Sequence, residues 1–144
     1  MGQFSFRVDP AGAEPLFAQI VASVKEAVAT GRLAPGERLP SVRDLARELV
    51  INPNTIAKAY ETLEAQGVTL SRHGAGTFVA ETRTVVAADE QRRRLREGLS
   101  SLLTDAVHLG IGEADLRREF EAALERFRFD GGNARATGGA RRKP

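Results

Sequence analysis

The sequence predicts a mainly helical fold carrying one small β-hairpin, and three observations point to it. Apolar residues recur at helical spacing in three closely spaced segments between Leu16 and Gly67. Two short β-prone runs follow at once, on either side of a turn holding Gly74 and Gly76. Beyond them, two longer stripes of leucine and phenylalanine repeat at spacings of three and four, interrupted by "GIGEAD".

Composition limits what such a fold can do. With 144 residues, 42% of them hydrophobic, the chain can furnish the core of one ordinary domain, or of a small domain with an appendage. Its formal net charge is only +2, so attraction to a polyanion has to come from cations placed locally. The absence of cysteine excludes disulfides and thiolate metal sites, and the two histidines, His73 and His108, stand too far apart for a zinc centre. No metal and no cofactor are expected. No Ser, Cys or paired-carboxylate arrangement stands out from surface patterning, so an enzyme is not expected either. No apolar run approaches the roughly 20 residues that span a bilayer. The start, "MGQFSFRVDP", lacks the apolar centre of a signal peptide, so the expected location is the cytoplasm, away from membranes.

Taken in order, "FSFRV" alternates Phe4, Phe6 and Val8 with polar residues, the pattern of a short strand or an extended lead-in. The first helix is expected from Leu16 to Thr30, with Leu16, Ile20, Val24 and Val28 on one face and Gly31 just past its end. "RLAPGERLPS" must turn, with Leu33 and Leu39 as apolar pins. Ser41 followed three residues later by Asp44 is an N-terminal capping pattern, so helix two runs from Val42 to Leu49 and buries Val42, Leu45, Ala46 and Leu49. Helix three begins almost immediately, since Asn52 is a favoured cap and Pro53 suits the first helical position. Its buried stripe is Ile56, Ala59, Tyr60 and Leu63, and Gly67 ends it.

What remains on helix three is polar and faces outward: Asn52, Asn54, Thr55 and Lys58, with the small Ala57 among them. Two helices joined by a tight turn, the second presenting short hydrogen-bonding side chains at its N-terminal end, suit the DNA major groove. A protein-binding face would instead need aromatic or aliphatic anchors there. Strands at 68–71 and 77–80 would then form a wing whose tip brings Arg72 and His73, beside glycines, against a phosphate or into the minor groove. The "GAG" in that turn is no dinucleotide loop, because it lacks the third glycine and a βαβ setting.

The run from Pro15 to Val79, "PLFAQI…GRLAPGERLPSVRDLARELVINPNTIAKAYETLEAQGV…RHGAGTFV", resembles the N-terminal winged helix-turn-helix of the GntR family of bacterial transcription regulators. The resemblance covers nearly half the chain, and its two halves, G-x-L-x-P-G-x-x-L-P-S-x-R-x-L-A and N-T-x-x-x-A-Y-x-x-L, occur in the right order with the right gaps. It implies that Arg43, the polar residues from Asn52 to Lys58, and the wing residues His73 and Gly74 lie at DNA. Arg47 is left as a solvated helix-two residue, and Asn52 is a cap first. One departure is Thr69, which occupies a strand position that in the family is usually apolar.

Downstream, Leu95, Leu99, Leu102, Ala106 and Leu109 form the seam of a long helix, expected from about Ala87 to Leu109. A second helix, Glu113 to Phe127, aligns Leu116, Phe120, Leu124 and Phe127. Two such helices cannot bury both stripes against each other alone, so the same pair from a second chain is the expected partner in a homodimer. So short a tail is similar to the YtrA subfamily of GntR regulators, which lack a large effector-binding domain. His108 near the helix end is a capping or surface residue. The last stretch, "DGGNARATGGARRKP", has no apolar periodicity and is expected to be a disordered basic tail.

The expected organisation is therefore a winged helix-turn-helix DNA-binding domain at 1–81, a two-helix dimerisation domain at 82–129 and the tail at 130–144. The expected function is a sequence-specific, homodimeric repressor on an inverted-repeat, double-stranded DNA operator. No effector follows from these residues.

Overall fold

The computed structural model describes residues 4–81 and 86–129. In order these contain α1 (Leu16–Ala29), α2 (Val42–Leu49), α3 (Pro53–Ala65), β1 (Thr69–Arg72), β2 (Gly76–Val79), α4 (Ala88–His108) and α5 (Glu113–Arg126). The described residues are thus mainly helical with one two-stranded sheet, as the sequence predicts.

Ahead of α1, residues 4–8 have no regular secondary structure and do not join the sheet. Phe6 enters the core, and Phe4 meets it edge-to-face with ring centroids 4.7 Å apart. The face that α1 buries differs from the one expected: Ile20, Val21, Val24 and Ala27 are buried, whereas Leu16 and Val28 are half-buried. The reason is geometric. A row taken strictly every four residues drifts about 40° around a helix of 3.6 residues per turn at each step, so only mixed spacings of three and four stay on one contact face.

Helix α2 has the expected bounds. The Ser41 hydroxyl accepts from the Asp44 N–H at 3.0 Å, satisfying one of the free amides of the first turn. Leu45 and Ala46 are buried, while Val42 and Leu49 are half-buried at the ends. The turn out of α2 rests on Val50, which takes the left-handed conformation (φ 55°, ψ 50°). That conformation costs an L-residue about 1–2 kcal/mol, and here it lets the chain reverse within two residues. The Ile51 N–H closes the turn on the Ala46 carbonyl at 3.0 Å.

In α3, Ile56, Ala59, Tyr60 and Leu63 are buried, as the stripe predicts. The Tyr60 hydroxyl donates to the Pro40 carbonyl at 2.7 Å, tying α3 to the segment that leads into α2. Burial of that hydroxyl, with Glu48 adding to it, pushes its pKa above the usual tyrosine value. Helix α3 packs on both α1 and α2 and supports β1.

The hairpin pairs Thr69 with Val79, Leu70 with Phe78, Ser71 with Thr77 and Arg72 with Gly76. Relative to the expected strands, β1 starts one residue later and β2 one earlier. The Val68 N–H still closes the end of α3 on the Leu63 carbonyl, and the ladder extends to the turn at Gly76. A third extended segment lies along the other edge of β2. Gly36 N–H donates to Val79, Val79 N–H to Glu37 and Leu39 N–H to Thr77, each at 2.8 Å, and Arg38 stands opposite Phe78. Leu39, Val79 and Thr69 point into the core, so Arg38, Phe78, Leu70, Arg72 and Gly76 share the outer face of this sheet. Thr69 is buried and its hydroxyl has no hydrogen-bond partner.

Helices α4 and α5 stand apart from this core, with Ala106 their one fully buried residue. They are joined across Gly110, whose φ of 72° ends α4 in the left-handed region that favours glycine, and begin and end close to the expected positions. Past α5 the chain returns to α1. The Arg128 N–H donates to the Ala29 carbonyl, and the Arg128 side chain covers Gly31, where a Cβ would lie 3.1 Å from Nε. No helix among the described residues is long and apolar enough to cross a membrane. The expected boundary at 81/82 falls at the edge of residues 82–85, and the expected tail is 130–144; both lie outside the described residues.

Candidate nucleic-acid interface

The start of α3 is a polar, uncovered helix end on a rigid base. Asn52 Oδ1 accepts from the Asn54 N–H at 2.9 Å, so the cap consumes the side-chain acceptor and leaves the Nδ2 donors to solvent. Asn54 is exposed and Thr55 half-buried, just ahead of the buried Ile56 and Ala59 that hold the helix to the core. Arg43 is exposed in the first turn of α2, and Arg47 is exposed further along α2. Lys58 is exposed, but its ammonium lies over the Phe17 ring of α1, 3.9 Å from the centroid. The side chain is therefore held toward α1, not extended freely from α3.

The wing is fixed to α3 by Glu64, whose carboxylate accepts from the Ser71 hydroxyl at 3.1 Å and the Ser71 N–H at 3.4 Å. That contact sets where the hairpin tip stands relative to the start of α3. At the tip, His73 and Gly74 are exposed, and the space where a Cβ would project from Gly74 is open. Gly74 has φ 74°, so the turn itself favours glycine there. Arg72 lies with its guanidinium 5.2 Å from the centre of the Phe78 ring.

Sequence reasoning brought forward Arg43, Asn52, Asn54, Thr55, Lys58, Arg72, His73 and Gly74, and all eight are placed on α2, α3 or the wing tip. It missed Phe17, Glu64 and Arg38. Periodicity carries no signal for the first two, because each acts by touching another element. For Arg38 a signal existed: in "ERLP" it alternates with the apolar Leu39, the pattern of an extended edge.

The residues expected to form a seam have a different setting. Leu95, Leu99 and Leu102 on α4, Leu109 just past its end and Phe120 on α5 are exposed, Leu116, Leu124 and Phe127 are half-buried, and Ala106 is buried. His108 is exposed at the end of α4, its Nδ1 2.9 Å from the Thr104 carbonyl one turn earlier.

Residues 16–79, the whole of the helix-turn-helix and its wing, match the model of the bacterial regulatory proteins, gntR family. The HTH-type transcriptional repressor YtrA of Bacillus subtilis is 35% identical over 105 residues, which are 73% of this chain and 81% of that protein. Among solved structures, a transcriptional antiterminator from Listeria monocytogenes superposes with a TM-score of 0.73 at 29% identity, over 92% of this chain and all of the other. A transcriptional regulator from Oenococcus oeni does so with a TM-score of 0.54 at 33% identity, over 81% of this chain and 97% of its own. Since the YtrA match runs well past the wing and spans most of both proteins, the chain belongs to the GntR family of bacterial regulators.

Proposed function

We propose that the protein is a sequence-specific transcription regulator, a homodimeric repressor that works in the cytoplasm on an inverted-repeat operator. The observation that carries this reading is the start of α3. There Asn54 and Thr55 offer side-chain donors and acceptors and Asn52 its Nδ2 donors, on a helix whose opposite face is buried, in a domain whose wing tip carries Arg72 and His73. Side-chain amides and hydroxyls at a helix N-terminus read base edges in the major groove, while Arg43, Arg72 and His73 supply contacts to the backbone or minor groove. The Gly74 turn allows close approach of the wing to a phosphate. Lys58, parked on Phe17, reaches a phosphate at the groove edge by leaving that ring.

Dimerisation is supported by the apolar residues that α4 and α5 leave uncovered, Leu95, Leu99 and Leu102 foremost. A large exposed apolar stripe on a helix of 21 residues is stable in water when a second helix covers it, and a two-fold partner does so with the same stripe. Two α3 helices about 34 Å apart would then enter successive major grooves on one face of the duplex. The repressor assignment rests on the relationship to YtrA.

The test is fluorescence anisotropy with a duplex from the protein's own promoter region and a scrambled duplex, at several salt concentrations. Saturable binding to the promoter duplex, falling steeply with salt, is the expected result. Replacing both Asn54 and Thr55 by Ala should weaken that binding by about 1–3 kcal/mol for each base edge no longer read, with thermal unfolding unchanged. Equal affinity of the variant and the wild type would remove the start of α3 from the DNA-reading surface.

A further inference from the structure

The outer face of the wing holds a pair of cations that the sequence pattern does not bring together. Arg38 sits opposite Phe78 across the sheet, yet its guanidinium runs along the strand toward the tip and settles on Gly76. A Cβ at Gly76 would lie 2.9 Å from Arg38 Nε and 3.2 Å from Nη2. Arg72, paired with Gly76, runs the opposite way and places its guanidinium over Phe78. The two side chains therefore pass each other on one face of the hairpin, beside the tip formed by His73 and Gly74.

Two like charges side by side repel, and an exposed pair is favourable when an anion lies between them. Among the described residues neither Arg38 nor Arg72 has a carboxylate within ion-pair distance. Nearby carboxylates are turned elsewhere: Glu37 Oε2 accepts from the Ala34 N–H at 2.8 Å, Glu64 accepts from Ser71, and the Glu81 carboxylate lies against Gly36. The missing side chain at Gly76 is what gives the Arg38 guanidinium its seat.

We propose that Arg38 is a DNA-backbone ligand, forming with Arg72 a two-guanidinium clamp on the outer face of the wing that holds one phosphate flanking the minor groove. The planar forks of two arginines suit a phosphodiester, which accepts hydrogen bonds on both of its free oxygens. This inference rests on the DNA-binding reading and adds to it a residue from outside both the helix-turn-helix and the hairpin.

The experiment compares wild type, R38Q and R38K against the promoter duplex and the scrambled duplex over a range of salt. For R38Q the slope of log affinity against log salt should fall by about 0.9, one phosphate's worth of released counterion, and affinity should drop about tenfold on both duplexes alike. R38K, which keeps the charge, should keep the slope while losing part of the affinity. Thermal unfolding of each variant confirms that the exposed side chain was not needed for folding. As a readout independent of the variants, the Arg38 Nε–Hε resonance of the wild type should shift when duplex is added. A wild type that binds with its salt slope unchanged by R38Q, or whose Arg38 resonance does not move, overturns the clamp but leaves the regulator reading standing. A wild type that binds neither duplex overturns both.

Discussion

At Thr69 the protein keeps a polar atom where its neighbours offer none. The residue is 2% exposed, pairs with the buried Val79 and has an unpartnered hydroxyl, at a position where the family resemblance leads one to expect an aliphatic side chain. A buried hydroxyl without a partner keeps its desolvation cost, whereas a methyl group of the same shape has none to bear. Thr69→Val should therefore stabilise the winged domain by about 1 kcal/mol, measured as a higher urea midpoint at unchanged m-value. A lower midpoint would show that the hydroxyl has a partner in solution.

Among the elements, α4 is held at its start by charge. Glu90 accepts hydrogen bonds from Arg93 at 2.7 and 2.8 Å and from Arg94 at 2.7 Å, which lower its pKa from the ordinary range to about 2. Because the folded value lies below the unfolded one, the stabilisation is present above about pH 4.3 and is lost as pH falls toward 2. The group is exposed, so the effect is local and should weaken as salt is added. The expected outcome is a carboxyl carbon resonance for Glu90 that titrates near 2, together with fraying of the first turn of α4 at lower pH. Titration near 4 would mean the arginines do not hold it in water.

The same helix shows how much of the structure could be read beforehand. The ends of α2, α3, α4 and α5 follow from caps, glycines and apolar spacing because those signals are local. The face of α1 and the start of β1 were displaced, since both are decided by partners: α1 by the pitch that keeps it against α3, β1 by a Val68 amide already used to finish α3. For the candidate site, the polar residues on α3 were legible as what the buried stripe leaves over. The seating of Lys58 on Phe17, the Glu64 brace and the approach of Arg38 to Gly76 each join residues far apart in sequence or on different elements, and no periodicity encodes them.

For the whole molecule, the exposed stripe on α4 makes assembly the property to test. Leu99 and Leu102 are 38% and 45% exposed, on the surface proposed above for a second copy. Replacing both by Lys should convert a dimer into a species of 15.5 kDa in sedimentation, with weaker binding to a two-site duplex and unchanged folding of the winged domain. A wild type that sediments at 15.5 kDa at micromolar concentration would contradict the dimer.

The bond from Arg128 to Ala29 also matters for how two parts of one chain can move. A body joined to another through a single strand of backbone can turn about three axes; joined at a second point as well, it can turn only about the line through the two. The Arg128 contact at the end of α1 gives the α4–α5 segment such a second point of attachment. A change that removed it would leave that segment freer to turn, seen as faster exchange of the Arg128 amide hydrogen.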